Sequence, residues 1–165
     1  MGLEEVILQS PTDALASMVL VRDEPSSTPS TVLYGVRLHS GDLLLSRGET
    51  AASAFIARAH DYPGNFSHVA VVHVDEARGK ASIIEADIKS GVRIRTPDEY
   101  VAENKLRIMV LRPRSDLGEI RRDPLLPHRA ASRVLRLSRS RRIPYDLAMD
   151  HEDHSRMFCS EVAYY

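Results

Sequence analysis

Cys159 is the chain's single cysteine, so it forms no internal disulfide and anchors no cysteine-rich zinc site. A lone thiol is either a small buried hydrophobe or a reactive group. It follows Met157-Phe158 and precedes Ser160-Glu161-Val162, a pattern that opens a helix. A thiol in the first turn of a helix lies at the positive end of the macrodipole, which favours thiolate. Backbone N–H groups at that terminus are free to hold a developing oxyanion. His68 and Glu85 supply the complementary chemistry. Val69–Val74 and Ala81–Ala86 are β-rich runs separated by Asp75-Glu76-Ala77-Arg78-Gly79-Lys80, which reads as a hairpin. Centring its loop between Glu76 and Ala77 makes His68 and Glu85 direct cross-strand partners, with Cβ atoms about 4.5–5.5 Å apart. A slip of two residues leaves them diagonal neighbours. A carboxylate beside an imidazole selects its tautomer and stabilises the imidazolium. An inert buried cysteine is the commoner case; here the His–Glu pair tips the balance toward a nucleophile.

Other polar clusters are weaker. Asp150-His151-Glu152-Asp153-His154 holds residue types that zinc accepts. Its spacing matches no metal motif, and it reads as a solvated loop beside the active-site mouth. No metal and no cofactor are called for. His60, with Asp61, ends a helix, where a histidine suits the dipole. His39, His73 and His128 have no evident partner, and strand alternation puts His73 on the face opposite His68.

The elements that must position these groups fit one domain of 165 residues. Ser10-Pro11 and Asp13 resemble a helix start, predicting a short helix to about Val21. Pro25-Ser26-Ser27-Thr28-Pro29-Ser30 is a linker by composition. The division is therefore an appendage over residues 1–31 and a main domain over 32–165. Gly41-Asp42 turns into a buried strand at Leu43-Leu44-Leu45, with Asp42 holding the turn. A helix spans Thr50 to His60, and Asp61-Tyr62-Pro63-Gly64-Asn65 breaks it. Val92–Arg95 and Leu106–Leu111 read as strands, Pro97–Glu103 as a helical turn, and Pro127 to about Arg139 as a helix. The order predicts an α+β fold with a largely antiparallel sheet packed against helices.

Net charge is −1, unevenly spread. Between Arg112 and Arg142 ten arginines face Asp116, Glu119 and Asp123, a net +7, and the remainder nets −8. This stripe reads as a solvated helix face. No aromatics are interleaved with the arginines, which argues against single-strand nucleic-acid binding. No apolar run is long enough for an integral membrane segment. The N-terminus is acidic and lacks an apolar signal region, so a cytoplasmic protein is expected.

The segments Gly41-Asp42-Leu43-Leu44-Leu45, Ser67-His68-Val69-Ala70-Val71-Val72 and Ile84-Glu85-Ala86 come first in the chain, and Phe158-Cys159-Ser160-Glu161-Val162 comes last. In this permuted order they resemble the motifs of bacterial NlpC-type papain-like thiol peptidases, over roughly residues 35–165. The permuted branch includes the YiiX/YebB-like proteins and the lecithin–retinol acyltransferase group. The resemblance implies a permuted papain-like fold with the nucleophile at the N-terminus of the last helix. It implies Cys159 as nucleophile, His68 as base and Glu85 as the third member. Ile143-Pro144-Tyr145 resembles the segment that brings a tyrosine to the active site, although Arg141 and Arg142 stand where a small residue is usual. Tyr145, Ser160 and Ser67 are then expected on the oxyanion or substrate side. The implied activity is a cysteine-dependent hydrolase or acyltransferase. It would cleave an amide or ester through a thioester acyl-enzyme, with a cell-wall peptide or lipid acyl substrate. The alternative is a non-catalytic ligand-binding domain of the same fold.

Overall fold

Alternating and continuous apolar runs account for most of the architecture. The computed structural model describes residues 4–8, 17–21, 25–58, 65–103 and 105–165. Among them the chain runs β1 (Glu4–Leu8), β2 (Ser17–Val21), β3 (Ser30–Leu33), β4 (Val36–His39), β5 (Leu43–Gly48), α1 (Ala51–Arg58) and β6 (His68–Asp75). It continues through β7 (Lys80–Asp87), β8 (Gly91–Arg95), α2 (Pro97–Ala102), β9 (Lys105–Leu111), α3 (Gly118–Arg122), α4 (Leu126–Ser140) and α5 (Cys159–Tyr164). Strands β9, β5, β6, β7 and β8 lie side by side and antiparallel. β2 joins the β9 edge in parallel, and β1 pairs antiparallel outside it. β3 and β4 form a separate hairpin. The fold is α+β, as the sequence predicts. No helix among the described residues is long and apolar enough to cross a membrane.

Both faces of the sheet centre are covered, which is why β6 is nearly all apolar. Ala70, Val72 and Val74 share one face with Ile83, Leu44 and Ile108, under β4 and Tyr100 of α2. Val71, Ile84 and Ala86 face the other way, against Ala131, Val134 and Leu135 of α4, Ile143, Met157 and Val162 of α5. Fully burying one such aliphatic side chain stabilises by about 1.5–3 kcal/mol. The His68–Glu85 hairpin is therefore clamped from both sides.

One expectation needs correction. The helix predicted to about Val21 is a strand over Ser17–Val21. Met18-Val19-Leu20-Val21 is a β-prone run, and its backbone pairs with β1 and β9, so sheet formation overrides the cap signal. Ser10, Pro11 and Asp13 lie outside the described residues, as do His60 and Asp61–Gly64. The β3–β4 hairpin was not foreseen. Its turn is Tyr34-Gly35, both at positive φ (49° and 82°). Two-residue hairpin turns of this kind usually announce themselves as Asn-Gly or Asp-Gly; tyrosine hides the signal.

Candidate active site

The register of the β6–β7 hairpin decides how His68 meets Glu85. Ala70, not His68, stands opposite Glu85, and Asp75 stands opposite Lys80. The register is thus two residues away from the one expected. The loop Asp75–Lys80 is centred between Ala77 and Arg78, one position later than expected, and its own hydrogen bonds hold it there. The Asp75 carboxylate accepts from the Arg78 N–H at 3.0 Å, and its carbonyl accepts from the Gly79 N–H at 2.8 Å. Gly79 supplies the positive φ (61°) that closes this loop. His68 becomes a diagonal neighbour of Glu85, and the two side chains close the gap, with Nε2 2.7 Å from Oε2. His68 faces Ser46 of β5 across the other side of the strand. His73 points to the opposite face, where its Nε2 meets the Ser132 hydroxyl at 3.1 Å.

Cys159 opens α5, which packs on β6 and β7. The preceding Phe158 N–H donates to the buried Glu161 carboxylate at 3.1 Å, which fixes the start of the helix. This brings the thiol into hydrogen-bond contact with the His68 ring. Since Nε2 is committed to Glu85, Nδ1 is the nitrogen left for sulfur. The α5 helix is only six residues long, so local donors matter more than a macrodipole. Burial pushes the thiol up, but the His68 hydrogen bond and charge, with the Val69 and Ser160 N–H groups, bring it below its ordinary value. For His68, burial opposes protonation; hydrogen bonds to Cys159 and Glu85 outweigh it and raise the pKa to about 9. The geometry therefore favours thiolate beside imidazolium.

Glu85 is 1% exposed. Burial alone would raise its pKa, yet the His68 hydrogen bond and the charges of His68, Lys105 and Arg93 lower it to about 2. Oε2 accepts from His68 and Oε1 accepts from Arg93 Nε at 2.9 Å. Arg93 also reaches Glu103 at 3.0 Å, and Glu103 in turn pairs with Arg95 and Lys105. Arg93 was missed at the level of sequence, although its signal was available. It stands directly opposite Glu85 across the β7–β8 pair, a register that the same hairpin argument would have exposed. Tyr100, buried in α2, donates to the Ser46 hydroxyl at 2.9 Å and was missed as well. Nothing in the spacing links positions 46 and 100.

Tyr145 lies on a segment laid along β8, where the Val92 N–H donates to the Ile143 carbonyl at 2.8 Å. Its hydroxyl pKa is pushed up to about 12, first by burial and then by the charges of Cys159, Asp146 and Asp87. The phenol thus stays protonated and within the field of the sulfur. Ser160 is exposed and contributes its backbone N–H rather than its hydroxyl to Cys159. The Ser67 hydroxyl is turned to Ser53 of α1 at 2.6 Å. Asp42 holds its turn as expected, accepting from the His39 N–H at 2.8 Å and from Arg112 Nε at 2.9 Å. In the loop before α5, Asp150 and Asp153 cap the Glu152 and Ser155 N–H groups, and His151 stands edge-on to the Phe158 ring. Among the described residues no three His, Cys, Asp or Glu side chains gather as a metal set.

A buried carboxylate, an imidazole and a thiol in hydrogen-bonded line can generate a sulfur nucleophile at neutral pH and return its proton to a leaving group. A family model matches residues 37–165, and its description is "permuted papain-like amidase enzyme, YaeF/YiiX, C92 family". The matched span contains every residue of this constellation. Comparison with curated proteins and with solved structures gave no match.

Proposed function

The chain belongs to the permuted papain-like amidase family of the YaeF/YiiX type, and from that premise we propose a cysteine-dependent hydrolase or acyltransferase that works through Cys159, His68 and Glu85. One observation carries this. The His68 ring is hydrogen-bonded both to a buried carboxylate and to the chain's only thiol. The catalytic unit is residues 32–165.

The Cys159 thiolate attacks the carbonyl carbon of an amide or ester, forming a C–S bond and a tetrahedral oxyanion. The Tyr145 hydroxyl and the first-turn N–H of Cys159 are the donors proposed for that oxyanion. As the carbonyl re-forms, the bond to the amine or alkoxide breaks, and the His68 imidazolium gives its proton to that leaving group. Glu85 keeps the ring oriented and stabilises its charged form. The thioester then yields to water, or to another acceptor, with His68 now acting as base. A panel that pairs cell-wall peptides with fatty-acyl esters and amides separates the two substrate classes.

Iodoacetamide labelling tests the activated thiol. An ordinary thiol, with pKa of about 8.5, is almost wholly protonated at pH 6. Cys159 should be labelled quickly there, and His68→Ala should remove most of that reactivity. Slow labelling that rises only above pH 8, in wild type and His68→Ala alike, favours the non-catalytic domain.

A further inference from the structure

The outward side of α4 carries a feature independent of the cysteine chemistry. Arg129, Arg133 and Arg136 recur at helical spacing on the side opposite Ala131, Val134 and Leu135, which α4 buries. All three arginines are exposed. Residues 124–145 hold six arginines and no Asp or Glu, so the helix cannot neutralise itself. Asp123 of the preceding turn pairs with Arg129, and the Arg133 guanidinium lies 5.0 Å over the Tyr165 ring.

The helix does not stand alone. Residues of α4 and α5 belong to one core cluster, so the two helices form one layer on the same face of the sheet. That layer and its connecting loop expose large apolar side chains: Tyr164 at 94%, Leu147 at 73% and Met149 at 55%. The loop is tied to the end of α4 by Arg141, which donates to the His154 carbonyl at 2.9 Å. The same loop also exposes three acids, Asp150, Glu152 and Asp153. Two of them are engaged in capping local N–H groups.

We propose that this layer docks on an anionic lipid surface. The arginines of α4 pair with headgroup phosphates, and Leu147, Met149 and Tyr164 enter the headgroup–acyl boundary. A guanidinium takes phosphate oxygens two at a time. Its aliphatic stem lies along apolar surface while the charge stays at the headgroups. Arginines flanked by exposed apolar tips are the composition of an interfacial surface. A nucleic-acid strand would want aromatics interleaved with the arginines for stacking, and no Phe, Tyr or Trp stands between Arg112 and Arg142. Cys159 opens α5 in this same layer, so docking brings the nucleophile's helix to an interface that displays acyl groups.

The test is co-sedimentation with vesicles of phosphatidylglycerol and phosphatidylcholine against vesicles of phosphatidylcholine alone, at low and high salt. Binding should require the anionic lipid and weaken with salt. Each arginine near such a surface is worth about fivefold in binding, so Arg133→Glu/Arg136→Glu should bind at least ~25-fold more weakly. Leu147→Ser/Met149→Ser should weaken binding while leaving its salt dependence in place. Circular dichroism checks that the variants fold, and Cys159 labelling at pH 6 reports the nucleophile separately. Absence of binding to the anionic vesicles, or binding that the arginine variants leave unchanged, overturns the proposal. Retention on heparin or on an acidic peptide without vesicle binding overturns it too, and assigns the face to another polyanion.

Discussion

Glu85 divides its two oxygens between partners, Oε2 for His68 and Oε1 for Arg93 at 2.9 Å, with Arg95 farther off at 3.5 Å. That division makes Arg93 a positioning residue: it neutralises a carboxylate buried from water and leaves Oε2 free to aim the imidazole. A hydrogen bond to a charged group is worth enough that Arg93→Met should cut turnover by about 10- to 100-fold. Glu85 would then titrate at a higher pH, so the acid limb of the pH–rate profile should move upward. Arg93→Lys restores the charge without the second contact and should recover only part of the loss. A purely structural role would lower the melting temperature and leave the limb in place. Glu85→Gln should keep the fold and slow turnover by roughly 100-fold or more, because the amide cannot stabilise imidazolium. Turnover in that variant equal to wild type would show that another group orients His68. On the alkaline side, activity should fall near pH 9, where His68 gives up its proton.

Gly91 sets the position of the segment that carries Tyr145. Its φ is +74°, and a Cβ there would lie 2.2 Å from the Ile143 carbonyl oxygen. Gly91→Ala must strain the backbone and push the 143–145 segment off β8, at a cost of about 1–3 kcal/mol. Thermal melting should show the loss of stability, and turnover should fall with it if Tyr145 holds the oxyanion. A variant that melts lower yet turns over normally would remove Tyr145 from the mechanism. The same scale shows what the sequence could and could not reveal. The β6–β7 hairpin was legible because its strands are long and apolar around a polar loop. Its register follows from the midpoint of Asp75–Lys80, between Ala77 and Arg78, one position later than a centre between Glu76 and Ala77. The α4 helix was legible from its apolar period. The β2 strand was not, since its pairing with β9 joins residues nearly ninety positions apart. Cys159 and His68 share no local pattern at all; only the resemblance of the permuted motifs joined them.

The whole molecule should register the pair in its pH dependence. The pKa of Glu85 is lowered from 4.5 to about 2, so its contribution is present above pH 4.5 and is lost as pH falls toward 2. His68 is raised from 6.5 to about 9, so its contribution is full below pH 6.5 and is lost as pH rises through 9. The two shifts share the His68–Glu85 contact but are not identical, since the Cys159 hydrogen bond also raises His68 and the Lys105 and Arg93 charges also lower Glu85. A shift of either size is worth on the order of 3 kcal/mol. Melting temperature should therefore peak between pH 4.5 and 6.5; Glu85→Gln should remove the acid shoulder and shrink the alkaline one, which Cys159 also supports. The proposed mechanism requires that Cys159 become covalently acylated. Intact-mass analysis after brief exposure to a p-nitrophenyl acyl ester tests it most directly. Wild type should gain the mass of one acyl group, mapped to the peptide containing Cys159 and cleared on longer incubation. Cys159→Ala should gain nothing, and His68→Ala should acylate far more slowly. An adduct that persists in Cys159→Ala, or wild type that gains no acyl mass with any ester or amide of the panel, would rule out Cys159 as the nucleophile.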